Sequence, residues 1–165
     1  MRMSTLLFCS LILLFACENA STDTDSEKIA KPDLSQDILG TWETIEIEVH
    51  SPTYQGVDTT VHQTIREGDW GKYFGVRPAQ TVFTPDGKLV RTHRMKNGKV
   101  ADIVNGLWKI QGTDSLLVIE PNKTLYYKHE LENNLLTLTG IVDWDFDGEE
   151  DDDYRSVMRL VSKTQ

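Results

Sequence analysis

The stretch Leu125-Tyr126-Tyr127-Lys128-His129-Glu130-Leu131, followed by Asn133-Asn134 and then Leu136-Thr137-Leu138, decides the fold. Leu125, Tyr127, His129 and Leu131 occupy one face at a period of two, and Tyr126, Lys128 and Glu130 occupy the other, which is the alternation of a half-buried strand. Asn-Asn tolerates the left-handed backbone that a tight hairpin turn needs. The stretch therefore predicts an antiparallel hairpin with one face in a core.

Working outward from it, Leu136, Leu138, Val142, Trp144 and Phe146 share a parity, with Gly140 marking a bend. Residues 116–119 are apolar on both faces, and Pro121-Asn122 separates them from the hairpin. Residues 100–104 read as a strand that Gly106 interrupts and that 107–110 continue to a turn at Gln111-Gly112-Thr113-Asp114. Residues 80–84 and 89–95 pair across Pro85-Asp86-Gly87, Asn97-Gly98 ends the second, and 154–161 form the last strand. At the start, Ile45, Ile47 and Val49 alternate with Thr44, Glu46 and Glu48. Trp42 falls on the opposite parity, so a bulge or twist lies between it and Ile45.

No long stretch holds a helical period, and the turns are short. The chain reads as all-β: an up-and-down meander barrel of eight to nine antiparallel strands, whose closure removes sheet edges. One connection, residues 50–78, is too long for a plain hairpin. Its Trp70, Tyr73 and Phe74 predict a short helix over one end of the barrel.

The first residues, Met-Arg-Met-Ser, carry one positive charge, and residues 6–15 are apolar apart from Cys9 and Ser10. This is too short to span a bilayer and is followed at once by Glu18, so it reads as a cleaved signal peptide over 1–16. Leu14-Phe15-Ala16-Cys17 resembles the bacterial lipobox, which implies a lipidated Cys17 and anchoring to a membrane in the cell envelope. Cys9 leaves with the signal, so no disulfide is expected in the exported part and stability must come from a core. Residues 17–36 hold only Ile29 and Leu34 as large apolar side chains and read as a tether; 37–163 form the barrel domain.

The formal net charge is -9, which argues against nucleic acid as a partner. Eight acids in eleven residues, from Asp143 to Asp153, account for nearly all of it, so the acidity is a local feature. Within it, Asp143, Asp145, Asp147, Gly148 and Asp151 match positions 1, 3, 5, 6 and 9 of a calcium loop, with Glu149 between them. Tyr154 stands where the bidentate acid of position 12 belongs. A Ca2+ site here would be weak, with a dissociation constant of about 10⁻⁴–10⁻³ M. The competing reading is a straight strand that continues the parity of Leu138 through Trp144 and Phe146. It sets the aspartates roughly 6–7 Å apart on the outer face, too far to share one ion. Like charges would then oppose each other across the hairpin.

The opening Ile38-Leu39-Gly40-Thr41-Trp42 looks like the Gly-X-Trp start of lipocalins. The ordered series Phe83 to Gly87, Gly106 to Trp108 and Asp114 to Leu117 resembles the lipocalin-like domains of Bacteroidetes lipoproteins, over residues 36–162. The Thr-Asp-Tyr motif of true lipocalins is absent. The resemblance implies a barrel plugged by Trp42, with Arg159 (or Arg155) of the last strand over the indole as a cation-π partner, and a calyx for a small hydrophobic ligand lined by Phe83, Trp108, Tyr127 and Leu138.

His50, His62, His93 and His129 are scattered without metal-ligand spacing, and no nucleophile elbow or phosphate loop appears. His129 and Trp108 read as core or calyx residues. The expectation is a monomeric, non-catalytic protein without a resident organic cofactor. Either it carries a small apolar molecule, or it serves as an interaction module steadied by calcium; an enzyme would need polar residues converging inside the barrel.

Overall fold

A computed structural model describes residues 34–164. The expected signal peptide, the lipidated Cys17 and most of the expected tether lie outside the described residues. Nine strands follow in order: β1 (Gly40–Ser51), β2 (Val61–Arg66), β3 (Gln80–Phe83), β4 (Lys88–Arg94), β5 (Val100–Gln111), β6 (Ser115–Glu120), β7 (Lys123–Glu132), β8 (Leu135–Val142) and β9 (Asp152–Lys163). Every pairing is antiparallel, and β9 returns to pair with β1, from Gly40↔Lys163 to His50↔Asp153. Strands β1 and β3 to β9 thus make a closed eight-stranded barrel, and β2 is an additional strand.

The accommodation of β2 follows from the length of β1. The first four residues of β1 pair with β3 and its last six pair with β2, while its other edge stays on β9 throughout. Reading residues 50–78 as one connection missed this strand. Its alternation is faint because the side chain between Val61 and Ile65 on the inner face is the polar Gln63. After β2 a 3-10 turn (Glu67–Asp69) leads into the short helix α2 (Trp70–Tyr73), at the position expected from sequence. The register shift between Thr44 and Glu46 is the bulge that the parity change demanded, and it lets Trp42, Thr44, Ile47 and Val49 all face inward.

The turns follow their residue types. Asn133 and Asn134 both take positive φ, 51° and 63°, in the two-residue β7–β8 loop. Gly87 takes φ 76° after Pro85-Asp86. Gly106 does not interrupt β5, which is continuous through it; a Cβ there would lie 2.5 Å from the Ile119 carbonyl oxygen, so glycine permits the close approach of β6.

One end of the barrel is filled. Ile38, Trp42, Phe83, Leu89, Leu116 and Leu136 are almost fully buried in a single apolar cluster with Trp108. The described chain enters this cluster before residue 37: Leu34–Asp37 form a helical turn, α1, whose Leu34 is buried. The Trp42 indole donates to the Ile38 carbonyl at 2.7 Å, so the indole polar atom is satisfied by the segment that seals the end.

Arg159 does not lie over Trp42. Trp42 faces Leu160 across the β1–β9 ladder, and Arg159 sits opposite Glu43 on the outer face. There its guanidinium donates to Glu43 at 2.9 Å and Glu67 at 3.0 Å. Arg155 also points outward, to Glu46 and Glu48. Strand parity in β9 accounts for this, because Arg159 alternates with the inward Ser156 and Met158.

Candidate functional site

The other half of the barrel is hollow. A cavity of about 720 Å³ extends from the apolar cluster to the mouth covered by α2. Phe83, Tyr127 and Leu138 of the expected calyx line it; Trp108 does not. Trp108 belongs to the filled end, where its ring meets Phe83 edge-on at 5.8 Å and its indole donates to the Thr84 carbonyl at 3.1 Å.

A chain of aromatic rings runs up one wall to the mouth. Tyr127 and Tyr154 lie 5.9 Å apart between centroids, Tyr154 and Trp144 5.8 Å, Trp144 and Phe74 6.3 Å, and Phe74 and Trp70 5.0 Å. Gly140 makes room for the first of these, since a Cβ there would sit 3.1 Å from the Tyr127 ring. Burial pushes the Tyr127 phenol up from its ordinary pKa, with Tyr154 adding to the shift. Tyr154 is raised in the same way, against a hydrogen bond to Ser156 that lowers it. Both phenols therefore stay neutral donors throughout the physiological range.

The opposite wall is polar. Inward parity on β4 places Arg91 and His93 after Leu89, and on β6 it places Glu120 after Leu116 and Val118. On β5, Gly106 lies opposite Leu89, and a Cβ there would come 3.6 Å from the Glu120 side chain. The Arg91 Nη1 donates to Glu120 Oε1, and Arg91 Nε donates to Thr81 Oγ1 at 3.4 Å. Lys123 Nζ lies 3.9 Å from the other oxygen of Glu120. A guanidinium has five donors, of which these contacts engage two, and Arg91 lines the cavity. His93, half-buried beside it, has its pKa held below the ordinary value by burial first and by the Arg91 charge second. The signal was present in the alternation itself: carried past Leu89 and Val118, it puts an arginine and a glutamate inside.

At the rim of the mouth, the acidic segment wraps. The chain leaves β8 at Val142, so the straight-strand reading does not hold. Trp144 turns back to the core cluster, and Phe146, expected on the inner parity, takes φ 62° and is 87% exposed. Asp143 Oδ2 accepts from the Gly148 N–H at 3.2 Å, Asp145 Oδ1 from that of Asp147 at 3.2 Å, and Asp147 Oδ1 from that of Glu149 at 2.9 Å. The same loop grips the β1–β2 turn, where Gln55 and Gly56 both have positive φ and aim consecutive N–H groups outward. Asp145 accepts from Gln55, Asp147 from Gly56 at 3.0 Å, and Asp151 from the Thr53 hydroxyl at 3.2 Å.

Of the five acids picked out as ligands, Asp143 and Asp145 come together, while Asp147 and Asp151 are engaged by the β1–β2 loop. Glu149 joins no cluster among the described residues. The residue that sequence reasoning missed is Asp152, which puts one carboxylate oxygen within 4.8 Å of one from each of Asp143 and Asp145. Asp152 precedes Tyr154, Ser156 and Met158 at a period of two, so its inward parity was readable. It sits outside the calcium-loop spacing and was overlooked for that reason. Among the described residues no helix is long and apolar enough to cross a membrane. No protein-family model and no curated protein was found to match the chain.

Proposed function

We propose that the chain is a lipid-anchored, lipocalin-like carrier that binds one small amphipathic molecule in the open half of its barrel and does no chemistry on it. The observation that carries this reading is the cavity of about 720 Å³, inside the range of about 300–1,000 Å³ typical of small-ligand sites. Its aromatic wall suits an apolar or planar body, and the spare N–H groups of Arg91 suit a carboxylate or carbonyl at one end of it. Glu120 keeps the site near neutrality, so Arg91 selects by hydrogen bonding and not by bulk charge. The Leu14-Phe15-Ala16-Cys17 segment supports attachment to the cell envelope through Cys17, and the acidic exterior disfavours nucleic acid.

The test is displacement of a fluorescent fatty acid by unlabelled fatty acid on the purified protein, together with mass spectrometry of its organic extract. Val104, which faces the cavity from β5, offers the blocking variant: Val104→Trp fills the space and is expected to abolish probe binding. Arg91→Gln is expected to weaken carboxylated probes more than their methyl esters. Equal binding by the original chain and Val104→Trp sinks the carrier reading. For the anchor, Cys17→Ser is expected to eliminate incorporation of radiolabelled palmitate and release the protein from membranes.

A further inference from the structure

We propose that Asp143, Asp145 and Asp152 bind one divalent cation of the calcium class, with Asp152 supplying the ligand that the loop sequence lacks at its twelfth position. The proposal rests on a feature that the acidity of the segment does not by itself provide. Asp152 is 0% exposed, its Oδ2 accepts from the Trp144 N–H at 2.6 Å, and its Oδ1 has no hydrogen-bond partner. Asp143 Oδ1 is buried and unpartnered in the same way. Both residues belong to the group whose carboxylate oxygens converge within 4.8 Å.

Asp143 and Asp152 thus each bring a buried, unpartnered carboxylate oxygen to one acidic group, and each such oxygen costs free energy comparable to a lost charged hydrogen bond. Exposed acids such as Glu149 and Glu150 relieve repulsion by turning into water. Asp152 cannot, because it opposes Val142 in the β8–β9 ladder with its side chain on the inner face. A cation is the partner whose charge and size answer both oxygens at once. Three carboxylates at one focus are hard oxygen donors without a histidine or thiol among them, which selects calcium over zinc. Calcium tolerates the irregular coordination of a loop completed by backbone oxygens and water, whereas magnesium demands a near-ideal octahedron.

The ion would do structural work at the mouth. Asp152 holds the Trp144 backbone while the Trp144 indole donates to Gln63 of β2 at 3.0 Å, and Asp145 holds the Gln55 turn. One bound cation therefore ties the β8–β9 connection, the β1–β2 loop and the aromatic wall into one rim. This holds whether or not the cavity takes a ligand.

The experiment uses the purified chain and calcium chloride alone, by isothermal titration and by thermal melting, with Asp145→Asn and Asp152→Asn as variants. At 10 mM calcium and a dissociation constant of about 10⁻⁴–10⁻³ M, the unfolding equilibrium constant is expected to fall by about 10- to 100-fold. Both variants are expected to lose that response, and Asp152→Asn to melt higher than the original chain in chelator, because it removes a buried charge. Asp145→Asn keeps its outer position and guards against a failure of Asp152→Asn to fold. Absence of heat and of any melting shift up to 10 mM calcium overturns the proposal. So does an equal shift in sodium chloride of matched ionic strength, or an undiminished shift in Asp145→Asn.

Discussion

The two ends of the barrel are built from the same alternation and made to do opposite things. At the closed end the inward positions are mostly apolar, the Trp42 indole is satisfied by the Ile38 carbonyl, and α1 adds Leu34 to the cluster. Towards the mouth, the inward rows continue as Arg91 and His93 on β4 and Glu120 on β6, which line a volume left unfilled, and as the buried Asp152 on β9. Half of the interior is therefore optimised for packing. The other half retains polar groups whose burial is costly unless something answers them. Stability resides in the first half, and any selectivity in the second.

The largest break in this comparison comes from the closed end. Trp42→Ala removes a side chain with 0% exposure from the centre of the apolar cluster and leaves the Ile38 carbonyl without its donor. A loss of about 3–5 kcal/mol is expected, read as a lowered urea midpoint with an unchanged slope. A loss below about 1 kcal/mol would show that the barrel does not depend on this plug. The filled end was also the more legible end: the parity of Trp42 against Ile45 called for a bulge or twist between them, and the register shift falls at Ile45 itself, between Thr44 and Glu46, which takes Ile45 off the buried face of Ile47 and Val49. The outward placement of Arg159 follows from the alternation of β9, in which Ser156 and Met158 face inward, and the resemblance rather than that alternation had placed it over Trp42; β2 was hidden because Gln63 occupies its inner face.

A smaller effect, at the mouth, tests whether the polar half is costly by design. Arg91→Met strands Glu120, whose side chain is 6% exposed, and leaves Lys123 at 3.9 Å as a partial substitute. Because Arg91 itself is a quarter exposed, the expected loss is about 1–3 kcal/mol, below that of a fully buried pair. Replacing both, Arg91→Met with Glu120→Leu, is expected to recover most of that loss. The double variant should retain the fold and lose preference for carboxylated probes. If the double variant is as unstable as the single one, the pair is structural and the contrast between the two ends weakens. This wall is hard to read from local pattern because a charged residue on an inward parity looks like the end of a strand's buried face until its partner on another strand is known. The same holds for Asp152: a spacing motif specifies positions in sequence, while the ladder of β9 determines which carboxylate points in.

The subtlest difference between the ends is their response to acid. Burial, reinforced by the Arg91 charge, holds the His93 pKa below its ordinary value of 6.5, against opposing pulls from Asp102 and Glu120. As pH falls through 6.5 the unfolded chain takes up this proton before the folded one does. Stability therefore falls with pH from about 6.5 down to the lowered folded value, and not above it. His93→Gln is expected to flatten this part of the profile, measured as urea midpoints at pH 7.5 and 5.5, a window in which ordinary carboxylates remain ionised. Trp42→Ala, placed among apolar neighbours, should lower the whole profile without changing its slope. A slope that is the same with and without His93 would move the acid response away from the cavity. One that disappears with His93 places it at the mouth, where proton uptake would add a second positive charge beside Arg91 and oppose closure of the barrel around it.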